Sequence, residues 1–147
     1  MKTKLFFILL FIICFSIGCS KDIDIPNSQL EKLFGEWNWY KTSGGTDGLT
    51  YTPYNQGYNL KIKFTEKGIY KTYKNKANNG KAKYELTLGP TIFGGSTVDL
   101  ITYYFHYGFV GSKVDTNVQS IKFGGNDTLV LIDESYDGYN HYYVRAD

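Results

Sequence analysis

The chain has 147 residues, with 16 basic and 14 acidic side chains, a length that suits one domain with its own core. Lys2 and Lys4 make up the whole basic excess, so residues 19–147 are close to neutral and nothing in the charge implies a nucleic-acid partner. The 14 Tyr and 16 Gly favour strands and turns over helices.

The first segment reads as an export signal. Lys2 and Lys4 precede an apolar run, Leu5 to Ile17, interrupted only by Cys14 and Ser16. A basic start, a short apolar stretch and a small-residue cleavage site make a secretory signal. The run is shorter than the roughly 20 apolar residues a spanning helix needs. Ser16-Ile17-Gly18-Cys19 resembles a bacterial lipobox, and the resemblance implies a lipid thioether on Cys19 and an acylated N-terminus. An ordinary secretory signal is the competing reading. It would leave Cys19 as a lone thiol, because Cys14 departs with the signal, and exported proteins usually pair their cysteines. Each buried lipid CH₂ contributes about 0.8 kcal/mol, so two or three acyl chains would hold the protein on a membrane.

These features divide the chain into a signal peptide (1–18), a lipidated tether (19–27) and one domain (28–147). Ser20-Lys21-Asp22 is similar to the export signal of Bacteroidetes lipoproteins. The implied location is the cell envelope, lipid-anchored in the outer membrane, and the similarity of Ser20-Lys21-Asp22 points to its outer face.

The domain reads as strands. Ser28-Gln29-Leu30-Glu31 has the form of a capping box, and with Leu33 and Phe34 it predicts one or two helical turns ending at Gly35. Period-two segments follow over Glu36–Ser43, Tyr58–Thr65, Ile69–Lys74, Lys81–Leu88, Val98–Tyr107, Asn117–Phe123, Thr128–Ile132 and Tyr139–Arg145. Asn78-Asn79-Gly80 is a hairpin signal before the fourth of these. Eight strands with mostly short connections predict an all-β, eight-stranded antiparallel up-and-down barrel. A two-sheet sandwich is the other closure. Within the long Gly44–Gly57 connection, Gly44-Gly45-Thr46-Asp47-Gly48 is expected to form a mobile flap over the open end.

Gly35-Glu36-Trp37 after a helical turn resembles the Gly-x-Trp motif of lipocalins and related calycins. That resemblance implies that Trp37 closes the barrel floor under an arginine from the last strand. Arg145, the one arginine of the chain, lies on the last predicted strand. Phe64-Thr65-Glu66-Lys67-Gly68-Ile69-Tyr70 and Asn126-Asp127-Thr128-Leu129-Val130-Leu131 resemble hairpins of small bacterial lipocalin-like lipoproteins. The chain stops two residues after Arg145, without the long C-terminal helix of animal lipocalins. The resemblance implies ligand binding without naming a ligand.

Little points to catalysis. His106 and His141 lie in no metal-spacing motif, and no cofactor motif is present. Asp133, Glu134 and Asp137 cluster before Gly138 without an EF-hand pattern and read as a solvated hairpin tip. The chain is therefore expected not to be an enzyme and to hold no metal or cofactor. Ile101, Tyr103, Phe105 and Tyr107 share one face of the longest strand, and Tyr70, Tyr84, Tyr139 and Tyr143 can join them. Such a stripe either lines a cavity for a small, largely apolar ligand or fills a core. In the second case the barrel would be solid, and its outer face would bind another envelope protein or a glycan.

Eight lysines and one acid, Glu66, lie between Lys61 and Lys83. They either meet lipid phosphates or acidic glycans, or simply keep strand surfaces soluble.

Overall fold

The computed structural model describes residues 31–106 and 114–147. The predicted signal peptide and tether, Ser28 of the predicted cap, and Tyr107 lie outside the described residues. Residues 31–33 are helical.

Among the described residues nine strands follow: β1 (Gly35–Gly44), β2 (Leu49–Tyr51), β3 (Leu60–Thr65), β4 (Ile69–Lys74), β5 (Ala77–Pro90), β6 (Thr97–His106), β7 (Val114–Gly124), β8 (Thr128–Asp133) and β9 (Tyr139–Arg145). A single turn of helix, α1 (Pro53–Gln56), lies between β2 and β3. Strands β1 and β3 to β9 pair antiparallel in sequence order, and β9 pairs back onto β1. The sheet is thus a closed eight-stranded barrel, not a sandwich. Closure pairs the strand edges that would otherwise template aggregation.

Two local expectations change. Asn78-Asn79-Gly80 is not the β4–β5 turn. The chain reverses three residues earlier, at Asn75 and Lys76, which take left-handed φ of 50° and 71°. Asn75 locks that reversal by exchanging hydrogen bonds with the Asn59 backbone, N to O at 2.9 Å and Oδ1 from N at 2.9 Å. Asn79 becomes the extra residue of a bulge, since Thr72 faces Gly80 and Tyr73 faces Asn78.

The Gly44–Gly57 connection is also more ordered than a simple loop. β2 takes the place beside β1 that β3 leaves free, with Thr42 opposite Tyr51 and Gly44 opposite Leu49. Thr52 then caps α1, its hydroxyl accepting from Asn55 N while Asn55 Oδ1 accepts from Thr52 N. The expected flap is the β1–β2 turn, and it is tied down: Gly45 N donates to Gly138 O at 3.2 Å. A Cβ on Gly45 would lie 2.6 Å from the Tyr139 hydroxyl, so glycine lets the turn press onto that ring.

The core is formed by inward residues of every strand in the ring. Trp37, Phe64, Leu33, Ile101, Leu129 and Leu131 are fully buried. At one end, Trp37 sits between Ile62 on β3 and Arg145 on β9. Its indole Nε1 donates to Leu33 O at 2.9 Å, and the Arg145 guanidinium lies 4.2 Å from the ring centre. Arg145 also donates to Phe34 O at 3.0 Å and Lys32 O at 2.6 Å, which satisfies carbonyls at the end of the helical turn. Gly35 has φ +120°, and a Cβ there would lie 3.0 Å from Arg145 Nη1. Gly35, Trp37 and Arg145 therefore form one plug, in which glycine makes room for the arginine and the arginine covers the indole.

Candidate functional site

The opposite end of the barrel is polar, and a bulge makes it so. Between Trp39 and Lys41 the β1–β9 register slips by one residue. Trp37 and Trp39 point inward; strict alternation would send Lys41 after them. The extra residue, Tyr40, reverses the alternation, so that Thr42 turns inward instead and Lys41 stays on the outer face, over the Tyr142 ring at 4.2 Å.

Thr42 then joins a chain of hydrogen bonds across β1, β9 and β8. Trp39 Nε1 donates to Thr42 Oγ1 at 2.8 Å. Thr42 Oγ1 and His141 Nδ1 are 3.0 Å apart, and His141 Nε2 is 3.3 Å from Asp133 Oδ1. With the imidazole proton on Nε2, every link has one donor and one acceptor: indole to hydroxyl, hydroxyl to imidazole, imidazole to carboxylate. Asp133 also accepts from Gln119 Nε2 at 2.7 Å and from Tyr139 N at 3.1 Å. Burial by itself would raise the Asp133 carboxyl, but the bonds from His141, Gln119 and Tyr139 outweigh it and hold it below the usual range.

Above this chain lies a cavity of about 410 Å³. Trp39, Thr42, His141 and Tyr143 line it together with Tyr51, Tyr58, Leu60, Gln56 and Tyr139. Tyr58 stacks on Trp39 with ring centres 6.0 Å apart and planes 20° apart, and Lys74 Nζ sits 4.0 Å from the centre of the Tyr58 ring. Tyr51 and Tyr139 face each other at 6.1 Å. The result is a bowl with aromatic walls and a hydroxyl and an imidazole at its base.

Of the aromatic residues singled out in the sequence, Tyr139 and Tyr143 line this bowl. Tyr70, Tyr84, Tyr103 and Phe105 lie deeper and pack on one another and on Phe64: Tyr70 is 4.7 Å from Tyr103, and Phe64 is 5.2 Å from both Tyr70 and Tyr84. Phe105 stacks on Tyr103 at 6.2 Å. Tyr84 donates to Thr65 O at 2.8 Å, and burial pushes its phenol up to about 12. Burial also raises the phenols of Tyr70, Tyr103 and Tyr143. The Tyr103 hydroxyl has no hydrogen-bond partner among the described residues.

Sequence reading did not find Thr42, Gln119, Trp39 or Tyr58, nor the link from Asp133 to His141. Apart from Trp39 and Thr42 on β1, these residues come from separate elements with no fixed spacing, and the parity change at Tyr40 hid Thr42. Glu134 is engaged elsewhere: its carboxylate accepts from Ile92 N at 2.7 Å, where the β5–β6 connection meets the β8–β9 turn. Among the described residues, no group of three or more His, Cys, Asp or Glu is placed to hold a metal ion, and no helix is long and apolar enough to cross a membrane. No family model, curated protein or solved structure matches the chain.

Proposed function

We propose that the chain is a membrane-anchored, lipocalin-like binding protein that holds a small, largely apolar ligand in the bowl between Trp39, Tyr58 and Tyr143. The aromatic cavity above the His141–Thr42 pair carries this reading. Its volume lies in the range of small-ligand sites, and it combines apolar walls with a few convergent polar groups. The barrel is compatible with a calycin-like fold, and the Gly35, Trp37 and Arg145 plug supports that kinship.

Binding fits the polar chain better than catalysis does. Hydroxyl, imidazole and carboxylate stand in the order a hydrolase uses. Here, however, the Thr42 oxygen is buried and already accepts the indole N–H of Trp39. A hydroxyl held this way is an oriented polar contact, not an exposed nucleophile. The ordered relay presets the base of the bowl, so a ligand with one polar group meets a rigid partner and little ordering cost.

A naphthylamine fluorophore tests the site. The probe should bind one to one and accept energy from Trp39. Tyr58→Ala, which removes the stacked wall at a half-buried position, should weaken binding about fivefold to tenfold, as expected for one aromatic contact. A wild-type chain that binds no probe, and that carries nothing detectable by native mass spectrometry, would show the bowl to be structural only.

The anchor has its own test. Cys19→Ala should abolish labelling by a radioactive fatty acid, because the thioether needs the sulfur, and should leave the barrel folded, because every core residue lies between Leu33 and Tyr143. Equal labelling of the variant would remove Cys19 as the site of attachment.

A further inference from the structure

The outer face of β3 to β5 places like charges against each other. Register aligns Glu36, Lys63, Lys71 and Lys81 in one row across β1, β3, β4 and β5. Lys83 sits opposite Ile69 in the neighbouring row, and Lys67 lies in the β3–β4 turn. Like charges directly opposite on antiparallel strands destabilise the pairing. One acid answers them: Glu36 bridges Lys61 at 2.9 Å and Lys63 at 3.0 Å, and those two bonds hold its carboxyl below the usual range. Among the described residues no ion pair reaches Lys67, Lys71, Lys81 or Lys83. Solubility alone needs charge on a strand surface, and mixed signs would supply it without repulsion.

The lysines also surround a continuous concavity. One hollow of about 540 Å³ is lined by Lys71, Lys81, Lys83, Ile69, Ala82 and Asn78. A second, of about 520 Å³, shares Ile69 and Lys71 with it and extends past Lys63 and Lys67 to Phe34 and Gly35. Gly35 is where the chain enters the barrel, and Cys19 lies twelve residues before Glu31. Twelve residues span at most roughly 40 Å, so a lipid on Cys19 keeps this face within reach of the membrane that holds it.

We infer that the Lys63–Lys71–Lys81 face seats on a phosphate-bearing, anionic membrane surface. Lipid phosphates relieve the repulsion along the row, and Ile69 offers an apolar contact between the ammonium groups. Only the orientation toward the membrane rests on the anchored reading of Cys19; the charge complementarity does not.

The test uses residues 20–147, which contain the whole closed barrel and lack the cysteine. The chain should sediment with vesicles of phosphatidylcholine mixed with phosphatidylglycerol, should not sediment with phosphatidylcholine alone, and should be released by salt. Replacing Lys71, Lys81 and Lys83 together with Gln should weaken binding about 100-fold, each lysine near the surface counting for roughly fivefold. Lys81→Gln alone should give that single step should the triple variant fold poorly, and Lys122→Gln on β7 should change nothing. Equal binding to both vesicle types, no binding to either, or a triple variant that folds and binds like the wild type would overturn the inference. Binding to polygalacturonate without binding to vesicles would assign the face to an acidic glycan and overturn it equally. Because Cys19 is absent from this chain, a failure here leaves the fatty-acid labelling result standing, and the reverse holds too.

Discussion

Trp37→Ala lowers the free energy of unfolding by about 4 kcal/mol, near the upper end for large core truncations. Three losses combine at this one position. The indole is fully buried, so its removal opens a void at the barrel floor between Ile62, Phe123 and Arg145. The Leu33 carbonyl loses its buried donor at 2.9 Å, a change that costs about 1–3 kcal/mol when the group stays dry. The Arg145 guanidinium loses the ring 4.2 Å away, an attraction of roughly 0.5–2 kcal/mol. These terms overlap, because a collapsing floor also rewets Leu33, so they are not summed. Trp37→Phe keeps a ring under the arginine and should cost about half as much. Urea unfolding followed by far-UV dichroism measures both, and a Trp37→Ala cost below about 1 kcal/mol would refute the plug.

That plug was legible in the sequence, and the mouth was not. Gly35, Trp37 and Arg145 were reached through the resemblance of Gly35-Glu36-Trp37 to the Gly-x-Trp motif, together with the chain's one arginine on the last predicted strand. Most strands of the ring were legible because they carry apolar residues with period two, as in Leu60, Ile62 and Phe64 against Lys61 and Lys63. At the mouth, period two misleads. Trp37 and Trp39 suggest that Lys41 follows them inward, and only the bulge at Tyr40 turns Thr42 in.

Likewise, Asn78-Asn79-Gly80 carries the stronger local turn signal. The β4–β5 register nonetheless puts the reversal at Asn75 and Lys76, where Asn75 can also bond the Asn59 backbone. A tertiary bond here outweighs a local preference. Lysines 63, 71 and 81 were visible as a basic stretch, but their alignment in one row follows from register, which depends on where both hairpins turn. The candidate site was half visible for the same reason. Tyr139 and Tyr143 belong to one strand, whereas the relay needs β1, β8 and β9 to meet.

Asp133→Asn destabilises the fold by about 2–3 kcal/mol at neutral pH, and the deficit shrinks in acid. The carboxylate is the acceptor for three donors: Gln119 Nε2, the Tyr139 amide and His141 Nε2. An asparagine of the same size offers one oxygen and brings an NH₂ that faces donors, so at least one bond becomes a clash of hydrogens. The sign of the pH dependence follows from the carboxyl. Its folded value lies below its unfolded value despite burial, because those three bonds favour the ionised form. A group depressed in this way contributes its full stability above the unfolded value, near 4, and loses it as pH falls through the folded value. The wild type should therefore lose this increment progressively from about pH 5 downward, while the variant, with no carboxyl at position 133 to protonate, does not. Glu36 titrates in the same window, but it is present in both chains and cancels in the difference. Paired urea melts at about pH 5 and about pH 2.5 decide the matter, since the two stabilities must converge toward the lower value. A gap that stays constant, or that widens in acid, would mean that Asp133 is not held ionised by His141, Gln119 and Tyr139. The relay from Trp39 would then end on a neutral acid, and the base of the bowl would lose the fixed polarity on which the proposed ligand binding rests.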